Sequence, residues 1–188
     1  MIRTIDVRED ILREDRETAE DIRRRLRNTG TVMVNVMGSP GSGKTTLIVR
    51  LILGAGELRV AVIEGDVDST IDAETVQRAG AEAVQIRTGG FCHLDAPMVS
   101  RALEELRPGR NDFIFVENIG NLICPAEYDI GAHLSLVVLS VPEGRDKPWK
   151  YPGMFRTADA VAISKTDYPD FAGLDGPDFR NRLQLLRT

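Results

Sequence analysis

The sequence predicts an α/β fold built on a doubly wound, mostly parallel sheet, and two observations support this prediction. Six short apolar segments alternate along the chain with helical or loop segments, as in sheets whose strands are joined by helical crossovers. The first of them, residues 31–37 (TVMVNVM), consists of β-branched and apolar residues interrupted only by Asn35. Such a segment is typical of a strand buried on both faces, which indicates a parallel sheet covered by helices.

The predicted elements follow one another in a regular order. Residues 9–27 carry a narrow apolar stripe at helical spacing and predict an amphipathic helix ending near Gly30, able to pack on its own domain or on a partner. Further strands are predicted at 58–65, 83–86, 112–118, 134–141 and 159–164. Helices are predicted at 45–53, 72–80 and 96–107, with one or two helical turns at 154–158. Residues 142–153 contain three prolines and two glycines and are predicted to form a long loop.

Length and composition narrow the class of protein. A chain of 188 residues with 42% hydrophobic and 28% charged residues fits one folded domain, predicted at 31–188 behind an N-terminal arm at 1–30. The formal net charge of −5 argues against binding to nucleic acid. No stretch approaches the roughly 18 apolar residues of a membrane helix, and the acidic N-terminus is unlike a secretory signal, so we expect a cytoplasmic protein with no membrane contact.

The strongest functional signal is residues 38–45 (GSPGSGKT), which match the phosphate-binding loop (P-loop) pattern between a predicted strand and a predicted helix. The glycines allow successive backbone N–H groups to turn toward phosphates, Lys44 reaches the β- and γ-phosphates, and the Thr45 hydroxyl offers a ligand to Mg²⁺. The alternative is a glycine-rich turn without a ligand. The predicted nucleotide-binding residues of this loop are Gly38, Ser39, Gly41, Ser42, Gly43, Lys44, Thr45 and Thr46.

Acidic side chains suited to Mg²⁺ lie at the ends of the predicted strands. Glu64 and Asp66 end one strand, Asp72 lies in the next loop and Glu117 ends another, so four carboxylates are expected to converge near Thr45. Asp72 is equally well placed to cap the helix that begins there. The predicted Mg²⁺ ligands are Thr45, Asp66, Asp72 and Glu117, and the predicted catalytic residues are Lys44, Asp72 and Glu117.

Glu117 also begins the segment ENIG, which has the form of a nucleotide sensor. A strand-end acid near the metal is followed by Gly120, whose N–H could contact a γ-phosphate. The alternative is an ordinary exit from a strand into a loop.

Residues 164–167 (SKTD) follow the last predicted strand and resemble the guanine-reading pattern N-K-x-D. The Asp167 carboxylate would accept hydrogen bonds from guanine N1–H and its exocyclic amine, and the Lys165 stem would cover the base. Ser164 stands where the pattern has asparagine, which removes a side-chain amide. A plain surface turn is the alternative.

Metal ligands other than carboxylates are few, because the chain contains only two cysteines and two histidines. Cys92 and His93 lie in the predicted loop TGGFCHLDA, and Cys124 lies in ENIGNLICPAE. Thiolates and imidazole suit Ni²⁺ or Zn²⁺, and three such groups leave a four-coordinate ion one ligand short, which a twofold dimer could supply. The alternative is two buried cysteines and a hydrogen-bonded histidine. His133 is predicted to be structural.

These motifs in this order, together with the segment EGRDKPWKYP, closely resemble the hydrogenase nickel-incorporation GTPase family (HypB), a relative of the urease maturation GTPases. The similarity runs from about Thr31 to Asp167. The strings CHLDA and ENIGNLICP are specific enough to make chance a poor explanation.

The resemblance implies a dimerising, metal-binding P-loop GTPase that hydrolyses GTP to GDP and phosphate and helps to load nickel into a hydrogenase. On matching positions, Cys92, His93 and Cys124 resemble the family's interface metal ligands, and Asp72 resembles its switch I acid. The implied cofactors are GTP or GDP, Mg²⁺, and Ni²⁺ or Zn²⁺. The implied partners are a second copy of the chain, a hydrogenase maturation factor and the hydrogenase large subunit. The family's last strand and base-contacting loop are expected to be shortened after Asp167.

The spacing within one loop suggests a mechanism. Glu117 and Gly120 precede Cys124 by only seven and four residues, so a loop drawn toward a γ-phosphate would also move a metal ligand. We therefore expect nucleotide state and metal binding to influence each other. A nucleotide- and metal-binding scaffold with negligible turnover, or a P-loop ATPase or kinase, is the alternative function.

Overall fold

Six parallel strands form one sheet in the order β3-β2-β4-β1-β5-β6 in the structure, a computed structural model that describes residues 7–66, 70–106, 109–169 and 172–186. The strands are β1 (Val32–Met37), β2 (Val60–Asp66), β3 (Glu82–Arg87), β4 (Phe113–Glu117), β5 (Leu134–Ser140) and β6 (Ala160–Ser164). Strands β2, β3 and β4 lie on one side of β1, with β4 between β1 and β2, and strands β5 and β6 lie on the other side, so the order reverses direction at β1. The doubly wound parallel sheet is confirmed.

Helices cover both faces of this sheet. They are α1 (Val7–Thr29), α2 (Lys44–Gly54), α3 (Ile71–Arg78), α4 (Ala96–Leu106), α5 (Lys147–Lys150), α6 (Pro152–Thr157), α7 (Ala172–Asp175) and α8 (Pro177–Leu186). On one face, Ile48 of α2 and Val76 of α3 are buried with strand residues such as Val62. On the opposite face, α1 and α4 share a core with β1, β2 and β4, and α6 and α8 pack beside β5. The two layers leave the carboxyl edge of the sheet open.

The N-terminal helix α1 packs on its own domain. Its apolar stripe places Ala19, Ile22 and Leu26 in the main core with no exposed surface. The buried Asp15 carboxylate accepts a hydrogen bond from the backbone N–H of Ala96 at 2.8 Å and so serves the first turn of α4. Burial raises the pKa of Asp15. The division into an arm and a separate domain at residue 30 stays a prediction.

The prediction of a long loop without regular elements at 142–153 was wrong. A 3₁₀ turn over Val141–Glu143 is held by Ser140 and Glu143, whose side chains satisfy each other's backbone N–H groups. The helices α5 and α6 follow, each with a proline at one of its first two positions. Proline is tolerated in the first turn of a helix, where its missing N–H would have no intrahelical partner, so these prolines begin short helices rather than exclude them.

Two further observations concern the C-terminal part of the chain and the character of its helices. After Asp167 the described residues form α7 and α8, which lie beside α6 in the core. Among the described residues, no helix has the length and apolar character needed to cross a membrane.

Candidate nucleotide and metal site

A cavity of about 850 Å³ lies at the carboxyl edge of the sheet, where the loops after β1, β4 and β6 meet the end of β2 and the helix α3. We call it the P-loop cavity. Carboxyl edges of this kind are where ligands bind in doubly wound α/β sheets. Its lining is Pro40, Gly41, Gly43, Lys44, Thr45, Thr46, Val49, Gly65, Asp66, Asp72, Thr75, Glu117, Asn118, Ile119, Gly120 and Lys165.

Glycines give the P-loop its path. Gly43 has a φ of 96° and stands immediately before α2, a conformation that L side chains rarely adopt. At Gly38 a Cβ atom would lie 2.5 Å from the carbonyl oxygen of Val138 in β5. The loop therefore lies against the sheet too closely for any side chain at its first residue. Ser42 is fully buried within the loop.

The predicted lysine, threonine and glutamate meet at the floor of the cavity. The Thr45 hydroxyl donates to Glu117 Oε1 at 3.0 Å, and Lys44 Nζ lies 3.8 Å from the same oxygen. Lys44 also donates to the carbonyl oxygen of Ser39 at 3.3 Å, and only 6% of its surface is exposed. These contacts hold the lysine folded over its own loop, within the region that phosphates would occupy.

Two acids lie side by side next to these groups. Glu64 of β2 is in register with Glu117 of β4, and both are buried. Burial raises the pKa of Glu64 to about 10 and that of Glu117 to about 7, with Lys44 opposing the shift at both. Within the described residues, Glu64 Oε1 and Glu117 Oε2 have no hydrogen-bond partner. Buried carboxyl oxygens without a partner are groups that could bind a cation.

The other two predicted magnesium ligands also line the cavity. Asp66 ends β2, and Asp72 lies in the first turn of α3. The residue in the capping position of α3 is Thr70, so Asp72 is not the cap that the sequence allowed. Asp66, Asp72 and Glu117 thus line the cavity together with Thr45, and Glu64 lies beside Glu117, while the roles of these acids as ligands stay predictions.

The segment after Glu117 lies directly on the P-loop. A Cβ atom at Gly120 would lie 2.7 to 2.9 Å from three atoms of Pro40, so the close approach requires glycine. One residue further on, Asn121 forms an antiparallel bridge with Gly38. The predicted sensor is thus in contact with the loop that would hold the phosphates.

The SKTD segment gives a mixed result. The Ser164 hydroxyl donates to the carbonyl oxygen of Ser42 at 2.5 Å and so ties the end of β6 to the P-loop. Lys165 lines the cavity and has a left-handed backbone with a φ of 56°. Asp167 is exposed in the turn closed by the bond from the N–H of Tyr168 to the carbonyl of Lys165, and it is not part of the cavity lining. Its role in guanine recognition stays a prediction.

The three predicted soft ligands come together in space. One ligand atom from each of Cys92, His93 and Cys124 lies within 4.8 Å of the others, and we call this group the Cys–His cluster. The Cys92 thiol contacts Cys124 Sγ at 3.0 Å and His93 Nδ1 at 3.7 Å. Contact with Cys92 raises the pKa of the Cys124 thiol, and burial lowers the pKa of His93. A neutral imidazole beside two thiols is a donor set for Ni²⁺ or Zn²⁺.

Residues around the cluster fix its geometry and leave it open to solvent. The Tyr128 ring stacks on His93 with centroids 3.7 Å apart and an interplanar angle of 19°. The Asn121 side chain accepts from the N–H of Ile123 and donates to the carbonyl of Cys92, at 2.8 and 3.4 Å. Phe91 and Ile123, each next to a cysteine, are 58% and 57% exposed.

Sequence reasoning missed Asn118, Asn121 and Tyr128 as members of the site. Asn118 and Asn121 belong to the string ENIGN, where hydrophobic patterning does not distinguish a buried or bonded asparagine from an ordinary loop residue. The ring of Tyr128 follows Cys124 by one 3₁₀ turn, which the string CPAEY alone does not reveal. His133 is structural as predicted, because its Nδ1 accepts from the N–H of Met33 at 3.1 Å.

Fold and site together define a class of protein: a P-loop nucleotide-binding protein with a thiol and imidazole cluster beside its cavity. Residues 32–175 match the family model described as CobW/HypB/UreG, nucleotide-binding domain. The chain belongs to the CobW/HypB/UreG family.

Its similar relatives within the family are HypB proteins. It is 47% identical to the hydrogenase maturation factor HypB of Rhizobium leguminosarum bv. viciae over 88% of this chain and 56% of that protein. It is 43% identical to the probable hydrogenase maturation factor HypB of Methanocaldococcus jannaschii over 93% of this chain and 80% of that protein. The chain thus spans little more than half the length of the first relative.

Two solved structures similar to this chain are also structures of HypB proteins. The crystal structure of HypB from Helicobacter pylori in complex with nickel matches with a TM-score of 0.85 and 38% identity, covering 93% of this chain and 82% of that one. The HypB structure from Archaeoglobus fulgidus matches with a TM-score of 0.83 and 40% identity, covering 94% and 88%.

Proposed function

We propose that this protein is a GTP-hydrolysing nickel metallochaperone that acts in hydrogenase maturation, with nucleotide state coupled to metal binding. The observation that carries the proposal is the short connection between its two sites. Residues 117–124 begin at Glu117 in the floor of the P-loop cavity, pass Gly120 against Pro40 and end at Cys124 in the Cys–His cluster. We call residues 117–124 the linking segment. A change at one end must be accommodated at the other.

The cavity fits Mg²⁺ and a nucleoside triphosphate. The unpartnered oxygens of Glu64 and Glu117, the Thr45 hydroxyl and the carboxylates of Asp66 and Asp72 are oxygen donors of the kind that Mg²⁺ prefers. We assign Thr45, Asp66, Asp72 and Glu117 to the ion, which when bound would neutralise charge on the β- and γ-phosphates.

The chain's own residues contribute positioning and charge to the hydrolysis of GTP to GDP and phosphate. Lys44 supplies a positive charge at the phosphates, and the P-loop N–H groups from Gly41 to Thr45 supply hydrogen-bond donors. Asp72 at the start of α3 and Glu117 at the end of β4 contribute carboxylates to the cavity. Lys165 lines the cavity and would cover the base with its stem, and Asp167, in the turn that follows Lys165, would distinguish guanine from adenine.

Nickel is the cargo in this proposal. The Cys–His cluster offers three ligands, so a second copy of the chain would complete four-coordination and place the ion at a dimer interface. Exposed Phe91 and Ile123 beside the ligands would be covered by that contact. The Helicobacter pylori relative in complex with nickel supports the choice of metal. The relatives' role in hydrogenase maturation supports a maturation factor and the hydrogenase large subunit as partners.

Lys147 and Lys150 of α5, two of the four lysines in the chain, are further cations to consider for phosphate binding, but both make contacts outside the P-loop cavity. Lys150 pairs with Asp146 at 2.5 Å, and Lys147 lies 5.4 Å from the centre of the Tyr151 ring. Neither lines the P-loop cavity. A role for them in binding phosphate within one chain therefore has no geometric support.

The test is calorimetric titration of metal-free protein with Ni²⁺, repeated with Zn²⁺, in GDP and in a non-hydrolysable GTP analogue. Light scattering gives the mass in each state, and phosphate release from GTP and from ATP gives turnover and base selectivity. We expect about one metal per dimer, an affinity that differs between nucleotides, and turnover of GTP in preference to ATP. Metal affinity equal in both nucleotides would contradict the coupling, and negligible turnover would indicate a scaffold.

A further inference from the structure

Asn118 connects the two sites through its side chain, separately from the main chain of the linking segment. It lies between Glu117 and Ile119 at the wall of the P-loop cavity and is 1% exposed. Its backbone N–H donates to the carbonyl of Val36 in β1 at 2.9 Å. The residue is therefore anchored to the sheet at its main chain while its carboxamide points away from solvent.

The carboxamide is shared between the sensor and the loop that carries His93. Its Oδ1 accepts from the N–H of Ile119 at 2.9 Å and from the N–H of Leu94 at 3.2 Å. Its Nδ2 donates to Asn35 Oδ1 at 3.2 Å, which fixes the orientation of the amide. One oxygen atom thus holds a backbone N–H from each of the two loops.

The position of Leu94 affects the Cys–His cluster directly, because Leu94 is joined to His93 by a peptide bond. The Leu94 side chain has no exposed surface, and it lies so close to Gly65 that a Cβ atom there would be 2.8 Å from it. Leu94 is therefore held between the end of β2 and Asn118. A shift of Asn118 must change the hydrogen bond at Leu94, and with it the main chain that carries His93.

We propose that Asn118 is a positioning residue that couples the occupancy of the P-loop cavity to the placement of His93. Movement of Ile119 and Gly120 toward a γ-phosphate displaces Asn118 Oδ1, which also accepts the hydrogen bond from Leu94. The main chain of the linking segment conveys the same movement to Cys124, so both loops of the cluster respond together. The inference rests on the proposed function and names the side chain through which its coupling passes.

Asparagine suits this position for a chemical reason. The oxygen must accept two N–H groups, and the nitrogen must donate to the oxygen of buried Asn35. Aspartate keeps the two accepting contacts but replaces the donor with a charged oxygen that faces Asn35 Oδ1, whereas alanine loses all three contacts. The two substitutions therefore separate the contact with Leu94 from the contact with Asn35.

The experiment measures the dissociation constant for Ni²⁺ alone, by competition with a chromophoric chelator, in GDP and in a non-hydrolysable GTP analogue. The ratio of the two constants is the coupling, about fivefold or more for a typical two-site system. We expect Asn118→Ala to lower the ratio by more than half on a logarithmic scale, because only the main-chain route to Cys124 remains, and Asn118→Asp to recover more than half of what is lost. By linkage, binding of Ni²⁺ must change the preference of the protein for one nucleotide over the other by the same ratio.

The matched control is Asn111→Ala. Asn111 is also buried, and it lies just before β4, at the opposite end of the sheet from the P-loop cavity. Its side-chain amide donates to the carbonyl of Leu106. The control is expected to lower the melting temperature and to keep the wild-type ratio. If Asn118→Ala fails to fold, Asn118→Ser, whose hydroxyl is too short to bridge both loops, takes its place.

The outcomes separate this inference from the proposed function. A wild-type ratio retained in Asn118→Ala, or a ratio lost equally in Asn111→Ala, overturns the role of Asn118. A wild-type ratio of one overturns the coupling in the proposed function, and with it any role of Asn118 in that coupling.

Discussion

The P-loop cavity and the Cys–His cluster lie at the same edge of one sheet, yet they are built in opposite ways. The cavity has buried charges: Lys44 and Glu117 are each 6% exposed, and Glu64 is 2% exposed. The cluster lies at the surface, with Cys92 exposed and its two cysteines 32 positions apart in the chain. One site is enclosed by a contiguous motif and strand ends, whereas the other is assembled from two loops.

The difference agrees with the function proposed for each site. Phosphates and Mg²⁺ are bound best by fixed donors in a region of low dielectric, where each charge interaction is strong. A metal that is passed to another protein must be reached by that protein, so its ligands belong at the surface. A mutation in one site is therefore expected to leave ligand affinity at the other site unchanged when the mutated site is empty. The two sites are expected to influence each other only when both are occupied.

The largest expected effect comes from removing a ligand of the cluster. Cys124→Ala should weaken Ni²⁺ binding by more than about 100-fold, because even outer contacts around a metal contribute 10- to 100-fold. Cys124 does not line the P-loop cavity, so nucleotide affinity of the metal-free variant should equal that of the wild type. Calorimetry with Ni²⁺ and with GDP measures both. Weaker GDP binding by the metal-free variant would show that the two sites are not separable.

The next effect is the converse experiment on the cavity. Lys44→Ala should weaken binding of a GTP analogue by about 100-fold, since a charged hydrogen bond to phosphate is worth about 3 kcal/mol. Binding of Ni²⁺ to the nucleotide-free variant should be unchanged. Fluorescence titration with a labelled nucleotide measures the first effect. Lys150→Ala, which removes an exposed lysine paired with Asp146, is the matched control and should bind nucleotide normally.

The two regions also differ in how much of them the sequence could predict. The fold and the cavity follow from local patterns: apolar runs give the strands, and the P-loop motif places eight functional residues within nine consecutive positions. The acids at strand ends converge because parallel strands end at the same edge. In the cluster, the ligands were identified as candidates by their rarity, but their meeting depends on two distant loops.

The parts that the sequence could not predict are contacts between segments. The bond from Leu94 to Asn118 joins residues 24 positions apart, and no local periodicity reports it. The stacking of Tyr128 on His93 is of the same kind. The short helices in residues 142–153 were missed for a different reason, because prolines were read as helix breakers when here they stand at helix starts.

An intermediate effect tests the electrostatic cost of the cavity. Burial raises the pKa of Glu64 to about 10, so the folded protein holds a proton that the unfolded chain has released at pH 7. The free energy of unfolding is therefore expected to fall as pH rises above the ordinary glutamate pKa. Glu64→Gln removes this penalty and should raise that free energy by about 2 kcal/mol at pH 7, and by less at pH 5.

Urea denaturation without nucleotide at the two pH values measures the change. The exposed Glu82 of β3 provides the control, because Glu82→Gln should leave stability within about 0.5 kcal/mol of the wild type. A loss of stability in Glu64→Gln that is equal at pH 5 and pH 7 would show that Glu64 is not held in its protonated form.

The smallest expected effect concerns the orientation of a single ligand. Tyr128 stacks on His93, and an aromatic pair of this kind contributes about 1 kcal/mol beyond the burial of its area. Tyr128→Leu should weaken Ni²⁺ binding about fivefold, since the imidazole must then be ordered when the metal binds, while Tyr128→Phe keeps the ring and should bind as the wild type does. Chelator competition with Ni²⁺ resolves a change of this size. If both variants bind like the wild type, the cluster does not depend on a preset imidazole, and it differs in this from the P-loop cavity, where contacts within the chain hold Lys44 and Glu117.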